Sequence, residues 1–280
     1  MSPAEDAYGL SKRLAFCTEI IASRHPALVL DVGCGTGENL TRPLAERFPA
    51  VRFLGVDDDP GSIAYAKSRP LLPNLAFAGY EALAVPKEAD LVIASEVVEH
   101  VEAPEVFLSR TAEHLRPDGR MIVTTPNGYG PFELASLFEV LLRLSGAFDL
   151  LRRVKRALIG GHPEPESRDT LAASPHINFF SHGRIRVVFA SSGLQIERYQ
   201  GRTLLCGFGL DSLVRTLRIG EWNARVADRL PPACVSAWAF LLRKVPSRPG
   251  RPYHRGPFAR WRRRMNERCW SGGSIESSAR

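Results

Sequence analysis

Short apolar runs alternate with longer segments of helical periodicity over residues 1–125. A strand buried on both faces is apolar throughout, whereas a surface helix is apolar along one stripe, so the two patterns predict different elements. The predicted buried strands cover residues 27–32, 51–56, 89–94 and 120–125. The predicted helices cover residues 10–23, 40–48, 60–68 and 104–115. This alternation indicates a parallel sheet covered on both faces.

The alternation breaks after residue 125 and resumes near residue 180. Residues 132–144 predict an apolar helix, and a basic segment at 150–159 leads into a proline-containing loop. We interpret residues from about 127 to 175 as an insertion into one domain that covers residues 1–245. The pattern beyond the insertion predicts helices at 181–192 and 210–218 and strands at 194–199 and 236–245.

The net charge of +7 is concentrated at the C-terminal end of the chain. Residues 246–280 contain nine arginines and two glutamates, so they account for the whole excess of positive charge. Their proline, glycine, serine and arginine content predicts a disordered, arginine-rich tail. Three roles stay open for it: a solvated end, a contact with anionic lipid, or a contact with RNA. Because residues 1–245 are neutral overall, we do not expect the domain to bind nucleic acid.

The five cysteines are scattered and include no Cys-x-x-Cys pair. They indicate neither a disulfide framework nor a cysteine-ligated zinc ion, and a cytoplasmic location is the simplest expectation. The first residues lack the apolar stretch of a secretory signal. No uncharged stretch approaches the roughly 20 apolar residues that span a bilayer.

A glycine-rich segment follows the first predicted strand and reads Leu30-Asp31-Val32-Gly33-Cys34-Gly35-Thr36-Gly37. Glycines let the backbone turn sharply and approach a ligand, and the start of the next helix offers unpaired N–H groups. The spacing GxGxG after an aspartate differs from the GxGxxG of dinucleotide-binding loops. Asp57 ends the second predicted strand, where a carboxylate can accept hydrogen bonds from both hydroxyls of a ribose.

Two further landmarks follow in order, Asp90-Leu91-Val92-Ile93-Ala94-Ser95-Glu96 and Leu115-Arg116-Pro117-Asp118-Gly119. With them, the chain resembles the class I S-adenosylmethionine-dependent methyltransferases over about residues 10–125, 176–200 and the last strand. The resemblance implies an α/β fold: a doubly wound, Rossmann-like, seven-stranded and mostly parallel sheet with a helical insertion after the fifth strand. It also implies S-adenosylmethionine as the cofactor, held by Asp31, Gly33, Gly35, Gly37, Asp57, Asp58, Ser95 and Glu96. An acid that the family often carries near the adenine corresponds here to Tyr80 or Glu81.

The segment Glu96-Val97-Val98-Glu99-His100 contains the candidate catalytic groups. If Glu96 begins a helix, Glu99 and His100 share its face, and these three residues with His176 suit a divalent cation. This arrangement resembles the small-RNA 3′-terminal 2′-O-methyltransferases and the ubiquinone-pathway O-methyltransferases. For the small-RNA enzymes, the resemblance implies a metal over a vicinal diol. Two alternatives stay open: His100 or His176 acts as a general base without metal, or the segment is structural.

We therefore predict methyl transfer from S-adenosylmethionine to a hydroxyl of a small-molecule acceptor. The acceptors considered are a sugar, a glycolipid, a polyketide-like compound and a quinone precursor. Methylation of a 2′-hydroxyl at an RNA 3′ end, and cofactor binding without catalysis, are the alternatives. The insertion suits either an amphipathic lid at a membrane surface or a helical pair packed over the sheet. Residues 132–156 and the basic tail are the candidates for a peripheral membrane contact.

Overall fold

A computed structural model of the protein describes residues 7–70, 72–84, 88–148, 175–246 and 253–271. The strands are β1 Leu28–Val32, β2 Arg52–Asp57, β3 Leu75–Gly79, β4 Ala89–Ser95, β5 Leu115–Pro126, β6 Leu194–Gly201 and β7 Ala237–Lys244. They form one seven-stranded sheet in the order β3-β2-β1-β4-β5-β7-β6. β7 pairs antiparallel with β5 and β6, and the pairs among β1 to β5 are parallel. The predicted doubly wound, mostly parallel sheet is confirmed.

Nine α-helices have both of their ends within these ranges, besides two short 3-10 helices at Tyr80–Leu83 and Pro232–Cys234. The α-helices are α1 Ala7–Arg24, α2 Thr41–Arg47, α3 Pro60–Ser68, α4 Pro104–Glu113, α5 Pro131–Leu144, α6 His182–Ser191, α7 Leu210–Thr216, α8 Gly220–Ala227 and α9 Pro257–Ser271. Local chemistry sets several of their ends. The Asp59 carboxylate accepts the backbone N–H groups of Gly61 and Ser62 at the start of α3, and Pro60 occupies its first turn.

The core has two layers because successive strand residues point to opposite faces of the sheet. On one face, Leu30 and Val92 pack in the same cluster as Phe240. On the other face, Val29 lies in a cluster with Phe16 and other residues from α1. Both layers are continuous across the parallel strands, which explains why those strands read as uninterrupted apolar runs.

Besides the C-terminal helix, three elements differ from the prediction. β3 was not predicted because it is a five-residue edge strand with only partly covered side chains. α8 was not predicted because its sequence is polar, although Asn223 and Ala227 are buried. β5 starts at Leu115, earlier than predicted, because Ala89 pairs with Leu115 before the register shifts and Leu91 pairs with Arg120.

The predicted disorder of residues 246–280 is wrong for residues 253–271. Residues 257–271 form α9, which packs against α5. A prediction from composition assumes that the tail arginines are exposed to solvent, but Arg262 is only 1% exposed. Arg255 and Arg263 both form ion pairs with Glu102. Residues 247–252 and 272–280 lie outside the described residues, as does the basic segment 150–159 of the insertion.

Among the described helices, none combines the length and apolar character that a bilayer crossing requires.

Candidate functional site

The glycine segment forms a loop between β1 and α2. Gly33, Gly35 and Gly37 all have positive φ, of 78°, 55° and 71°, which favours glycine at each position. A side chain at Gly33 would collide with Val97, and one at Gly37 would collide with Phe77. A side chain at Gly35 would meet nothing within 4 Å, so this part of the loop borders open space. The loop is therefore closed against the protein at two positions and open at the middle one.

Asp57 lies where β2 ends, opposite the glycine loop. Its Oδ2 accepts the Gly35 backbone N–H at 2.7 Å, and its Oδ1 accepts that of Asp59 at 2.9 Å. A cleft of about 510 Å³ opens beside it, lined by Asp58, Tyr80, Glu81 and neighbouring residues. The Glu81 carboxylate accepts the backbone N–H of Gly79, so this acid is turned toward its own strand. Tyr80 and Glu81, the two candidates for the acid position of the family, both line this cleft.

Asp31 lies beneath the glycine loop and is only 2% exposed. Its Oδ2 accepts the Thr41 hydroxyl at 2.6 Å. Burial raises the pKa of Asp31 to about 6, although the Thr41 hydrogen bond and the charge of Arg13 oppose this shift. Arg13, from α1, donates to the Ser95 hydroxyl at 3.1 Å, which brings the predicted Ser95 into the same polar edge of the sheet.

Glu96 does not begin a helix, which corrects the prediction for residues 96–100. Its φ of 58° is in the left-handed region, and a single turn follows in which the His100 N–H bonds to the Val97 carbonyl. The Glu96 carboxylate accepts the Thr124 hydroxyl at 2.7 Å and forms an ion pair with Arg202 at 2.8 Å. The turn therefore separates Glu96 from the face on which Glu99 and His100 lie.

The structure does bring Glu99, His100 and His176 together. One potential ligand atom from each of them lies within 4.8 Å of the others, whereas Glu96 is outside this set. The His100 and His176 rings meet edge to face with centroids 4.9 Å apart. The backbone N–H groups of Ile177 and Asn178 both bond to the Glu99 carbonyl, which holds the segment carrying His176 against the turn. We call Glu99, His100 and His176 the polar triad.

A fourth side chain, Glu133 of α5, completes this arrangement and was not predicted. Its Oε1 lies 2.5 Å from Nδ1 of His176, and both residues are buried. Glu133, Ser136 and Val140 form the buried face of α5. A signal was present in the sequence, because an acid and a serine lie three residues apart on one face of a mostly apolar helix. The sequence alone does not show which face of that helix is buried.

Burial dominates the electrostatics of the polar triad. It raises the pKa of Glu99 to about 8, with a further increase from the nearby Glu96 charge. It lowers the pKa of His100 to about 3, and the adjacent His176 lowers it further. Burial alone would lower the pKa of His176 too, but the Glu133 carboxylate, together with the charges of Glu99 and Glu96, outweighs burial and raises it.

A family model for a methyltransferase domain matches residues 5–199 of this chain. The chain belongs to the class I S-adenosylmethionine-dependent methyltransferases. A trans-aconitate 2-methyltransferase of Deinococcus radiodurans is 36% identical over 107 residues, or 38% of this chain and 41% of that protein. A ubiquinone biosynthesis O-methyltransferase of Bradyrhizobium diazoefficiens is 42% identical over 104 residues, or 35% of this chain and 40% of that protein. The chain thus spans about two fifths of the length of these curated relatives.

The solved structure of PKMT2 from Rickettsia typhi in complex with AdoHcy is similar in fold to this chain. Its TM-score is 0.50 at 18% identity, covering 81% of this chain and 50% of that chain. At this identity the likeness concerns the fold alone, and it agrees with the strand order found here.

The residues of the methyltransferase cleft fit S-adenosylmethionine. Gly35 borders open space that a side chain would fill, and Asp57 and Asp58 line the adjoining cleft. These groups lie at the carboxyl ends of β1 and β2, beside the point between β1 and β4 where the strand order reverses, which is where ligands bind in open α/β sheets. The polar triad lies next to this region, because Val97, which adjoins Gly33, precedes Glu99 by two residues.

Proposed function

We propose that the protein transfers a methyl group from S-adenosylmethionine to a hydroxyl group of a small molecule. The observation that carries the proposal is the polar triad beside the glycine loop, in which Glu99 and His176 are buried and His176 is paired with the Glu133 carboxylate. A hydroxyl acceptor must lose a proton as it is methylated, and such a histidine is suited to take it. The family membership supports the methyl donor, and the triad supports the kind of acceptor.

The cofactor supplies an activated methyl group when it is bound, so the protein has to position the acceptor, exclude water and accept a proton. In the proposed mechanism Nδ1 of His176 is held by Glu133, which leaves Nε2 to take the hydroxyl proton. The Glu133 carboxylate stabilises the imidazolium that forms. His100 stays neutral, since its pKa is about 3, and contributes polarity without charge.

The outward face of α5 supports an amphiphilic acceptor, such as a glycolipid or a quinone precursor. Leu134, Phe138 and Leu141 are 55%, 57% and 42% exposed, while Glu133 and Ser136 on the same helix are buried. The ring of Phe132, also on α5, lies 6.1 Å from that of His176. Phe132 therefore connects the polar triad to the exposed apolar surface of α5. We extend the proposal to a peripheral membrane contact through this part of residues 132–156.

A divalent cation held by the polar triad is the second candidate mechanism. Its support is that both histidines have a partner that fixes the ring, Glu133 for His176 and the Pro175 carbonyl for His100. Metal-binding histidines usually have such a partner on the second nitrogen. A cation at this position would bind a vicinal diol, which would include the 3′ end of RNA among the acceptors.

The test of the proposed function is methyl transfer from radiolabelled S-adenosylmethionine into separate polar-metabolite, lipid and total-RNA fractions. Label in a small-molecule fraction supports the proposal, and label in RNA would replace it with 2′-O-methylation. We expect His176→Gln to lower the rate by roughly 10²- to 10⁴-fold without changing S-adenosylhomocysteine affinity. His254→Gln, at an exposed histidine, is the matched control and should leave the rate unchanged.

Two outcomes would separate the remaining alternatives. Loss of transfer on chelation, restored by magnesium or manganese, would favour the cation, and the effect should strengthen as pH rises because Glu99 must lose its proton to bind it. Cofactor binding without transfer to any fraction would contradict the proposal and favour a non-catalytic protein.

A further inference from the structure

The C-terminal helix α9 forms part of the wall behind the proposed catalytic histidine. It packs on α5, the helix that carries Glu133. The sequence gives no sign of this contact, because the helix is rich in arginine and follows a segment with many prolines and glycines. A single side chain, that of Glu133, therefore lies between the arginine-rich helix and His176 of the polar triad.

Of the charged side chains described on α9, that of Arg262 is the most buried, with 1% exposure. Its guanidinium donates to the Ser136 hydroxyl at 3.0 Å and to the Asn266 side-chain oxygen. It also lies 3.9 Å from Oε2 of Glu133, the oxygen not engaged by His176. A buried cation is costly unless it is paired and hydrogen-bonded, so these contacts together account for its position.

Asn266 contacts the histidine segment from the same helix. Its Nδ2 donates to the His176 carbonyl at 3.1 Å, and its own side chain is 3% exposed. Arg255, just before α9, donates to the Ile177 carbonyl and to the Asn178 side chain. Residues 175–180 have no regular secondary structure, so hydrogen bonds from other segments must set their path.

We infer that Arg262 and Asn266 are positioning residues, which hold Glu133 and the His176 backbone in the arrangement required for methyl transfer. The inference rests on the proposed function in so far as it assigns His176 to the reaction. Arg262 acts on the carboxylate and Asn266 acts on the main chain, so α9 fixes the histidine from two sides. The C-terminal arginines thus serve an internal role in addition to any contact that they make with a partner.

The attachment of α9 to the domain is suited to this role. Arg255 lies just before the start of α9, and Arg263 lies in the middle of the helix. Both form ion pairs with Glu102, which follows the turn that carries Glu99 and His100. The same turn is therefore tied to α9 on its outer side and to residues 177 and 178 on its inner side. A displacement of α9 would move the histidine relative to the other members of the triad.

The experiment uses the full-length chain with Arg262→Met, Arg262→Lys and Asn266→Ser, and Arg264→Ala as the matched control on the exposed side of α9. We expect Arg262→Met to lower the methyl-transfer rate at saturating cofactor on the order of 10²-fold. Misplacing a catalytic group such as the His176 ring by about 1 Å lowers the rate by that factor. Arg262→Lys should restore part of the rate, since lysine keeps the charge but not the planar fork. S-adenosylhomocysteine affinity should be unchanged in every variant.

Two readouts keep the inference testable even if the acceptor is unidentified or Arg262→Met fails to fold. Asn266→Ser removes the hydrogen bonds that the Asn266 side chain makes with the His176 carbonyl and with Arg262, and leaves the charge of Arg262 in place. It should speed hydrogen exchange of the Ile177 and Asn178 amides without affecting α4. The nuclear magnetic resonance signal of the His176 Nδ1 proton, shifted downfield by Glu133, should weaken in Arg262→Met and persist in Arg264→Ala.

These readouts also separate the failure of the inference from failure of the proposed function. Unchanged amide exchange and an unchanged His176 signal in Arg262→Met and Asn266→Ser would overturn the positioning role, whatever the chemistry. Changed signals in a protein that transfers no methyl group would uphold the structural coupling and contradict the proposed function instead.

Discussion

The carboxyl group of Glu99 is 2% exposed and only partly satisfied by hydrogen bonds. Its Oε2 accepts the Thr125 hydroxyl at 3.1 Å, while Oε1 has no hydrogen-bond partner among the described residues. Burial favours the protonated form, so with a pKa of about 8 most of the group carries a proton at neutral pH. A protonated carboxyl can donate a hydrogen bond into the site, which an ionised one cannot.

The substitution Glu99→Gln tests whether the Glu99 carboxyl is protonated, through the pH dependence of the free energy of unfolding. The folded pKa of about 8 exceeds the ordinary 4.5, so wild-type stability should fall as pH rises between these values. Glutamine stays neutral, so this fall should shrink, and at pH 9 the variant should be more stable than wild type by roughly 1–3 kcal/mol. Urea unfolding from pH 4 to 9 measures the effect, with the exposed Glu113→Gln as control. Parallel curves for wild type and Glu99→Gln would contradict it.

Single residues were predictable where a local motif specifies them. The places of Asp57 and the three loop glycines in the fold were predicted correctly, because a strand end and a glycine loop have sequence signatures that do not depend on distant contacts. Glu133 and Arg262 were missed because their roles depend on a contact between α5 and α9, which are more than 100 residues apart in the chain. His176 was placed beside Glu99 correctly, but through a turn at Glu99 and His100 where a helix was expected.

At the scale of elements, α5 has the reverse of the usual polarity. Its buried face carries Glu133 and Ser136, and its exposed face carries Leu134, Phe138 and Leu141. The exposed side continues to the loop before α7, where the ring of Phe208 lies 6.3 Å from that of Phe138. A contiguous exposed apolar surface of this kind marks a contact with a ligand, a membrane or another protein.

The double variant Leu134→Gln, Phe138→Ser should weaken binding to vesicles of anionic phospholipid while leaving stability within about 0.5 kcal/mol of wild type, because surface sites contribute little to folding. Co-sedimentation with vesicles measures the binding. Val187→Ser is the matched control, since Val187 is also 57% exposed but lies on α6. Equal sedimentation of all three proteins, or none for wild type, would remove the membrane contact from the account.

Helices and strands were predictable where their own sequence carries the hydrophobic pattern that defines them. The strands β1, β2 and β4 are buried on both faces, and their apolar runs located them within one or two residues. The edge strand β3 lacked such a run. α9 was missed because composition treats arginine as solvated, whereas Arg262 is enclosed by Ser136, Asn266 and Phe179.

At the scale of the molecule, the C-terminal segment is part of the domain and contributes to its stability. A chain that ends at residue 246 should lose about 3 kcal/mol of unfolding free energy, because it exposes the face of α5 that α9 covers and leaves the buried Glu133 with His176 but without Arg262. A chain that ends at residue 271 keeps α9 and should match the full-length protein. Urea unfolding of the three chains measures this, and equal midpoints would show that α9 is dispensable for folding.

Methyl transfer by this protein requires that the glycine loop, at the reversal of strand order, binds S-adenosylmethionine. The most direct measurement is calorimetric titration of S-adenosylhomocysteine into wild type, Gly35→Ala and Gly146→Ala. Both glycines have positive φ, of 55° and 73°, and both border open space, so each alanine should cost about 1–2 kcal/mol of backbone strain. We predict that wild type and Gly146→Ala bind alike and that Gly35→Ala loses affinity at least tenfold, or about 1.4 kcal/mol. Folded wild-type protein that binds no S-adenosylhomocysteine, or equal affinities for the two variants, would contradict the proposed cofactor site.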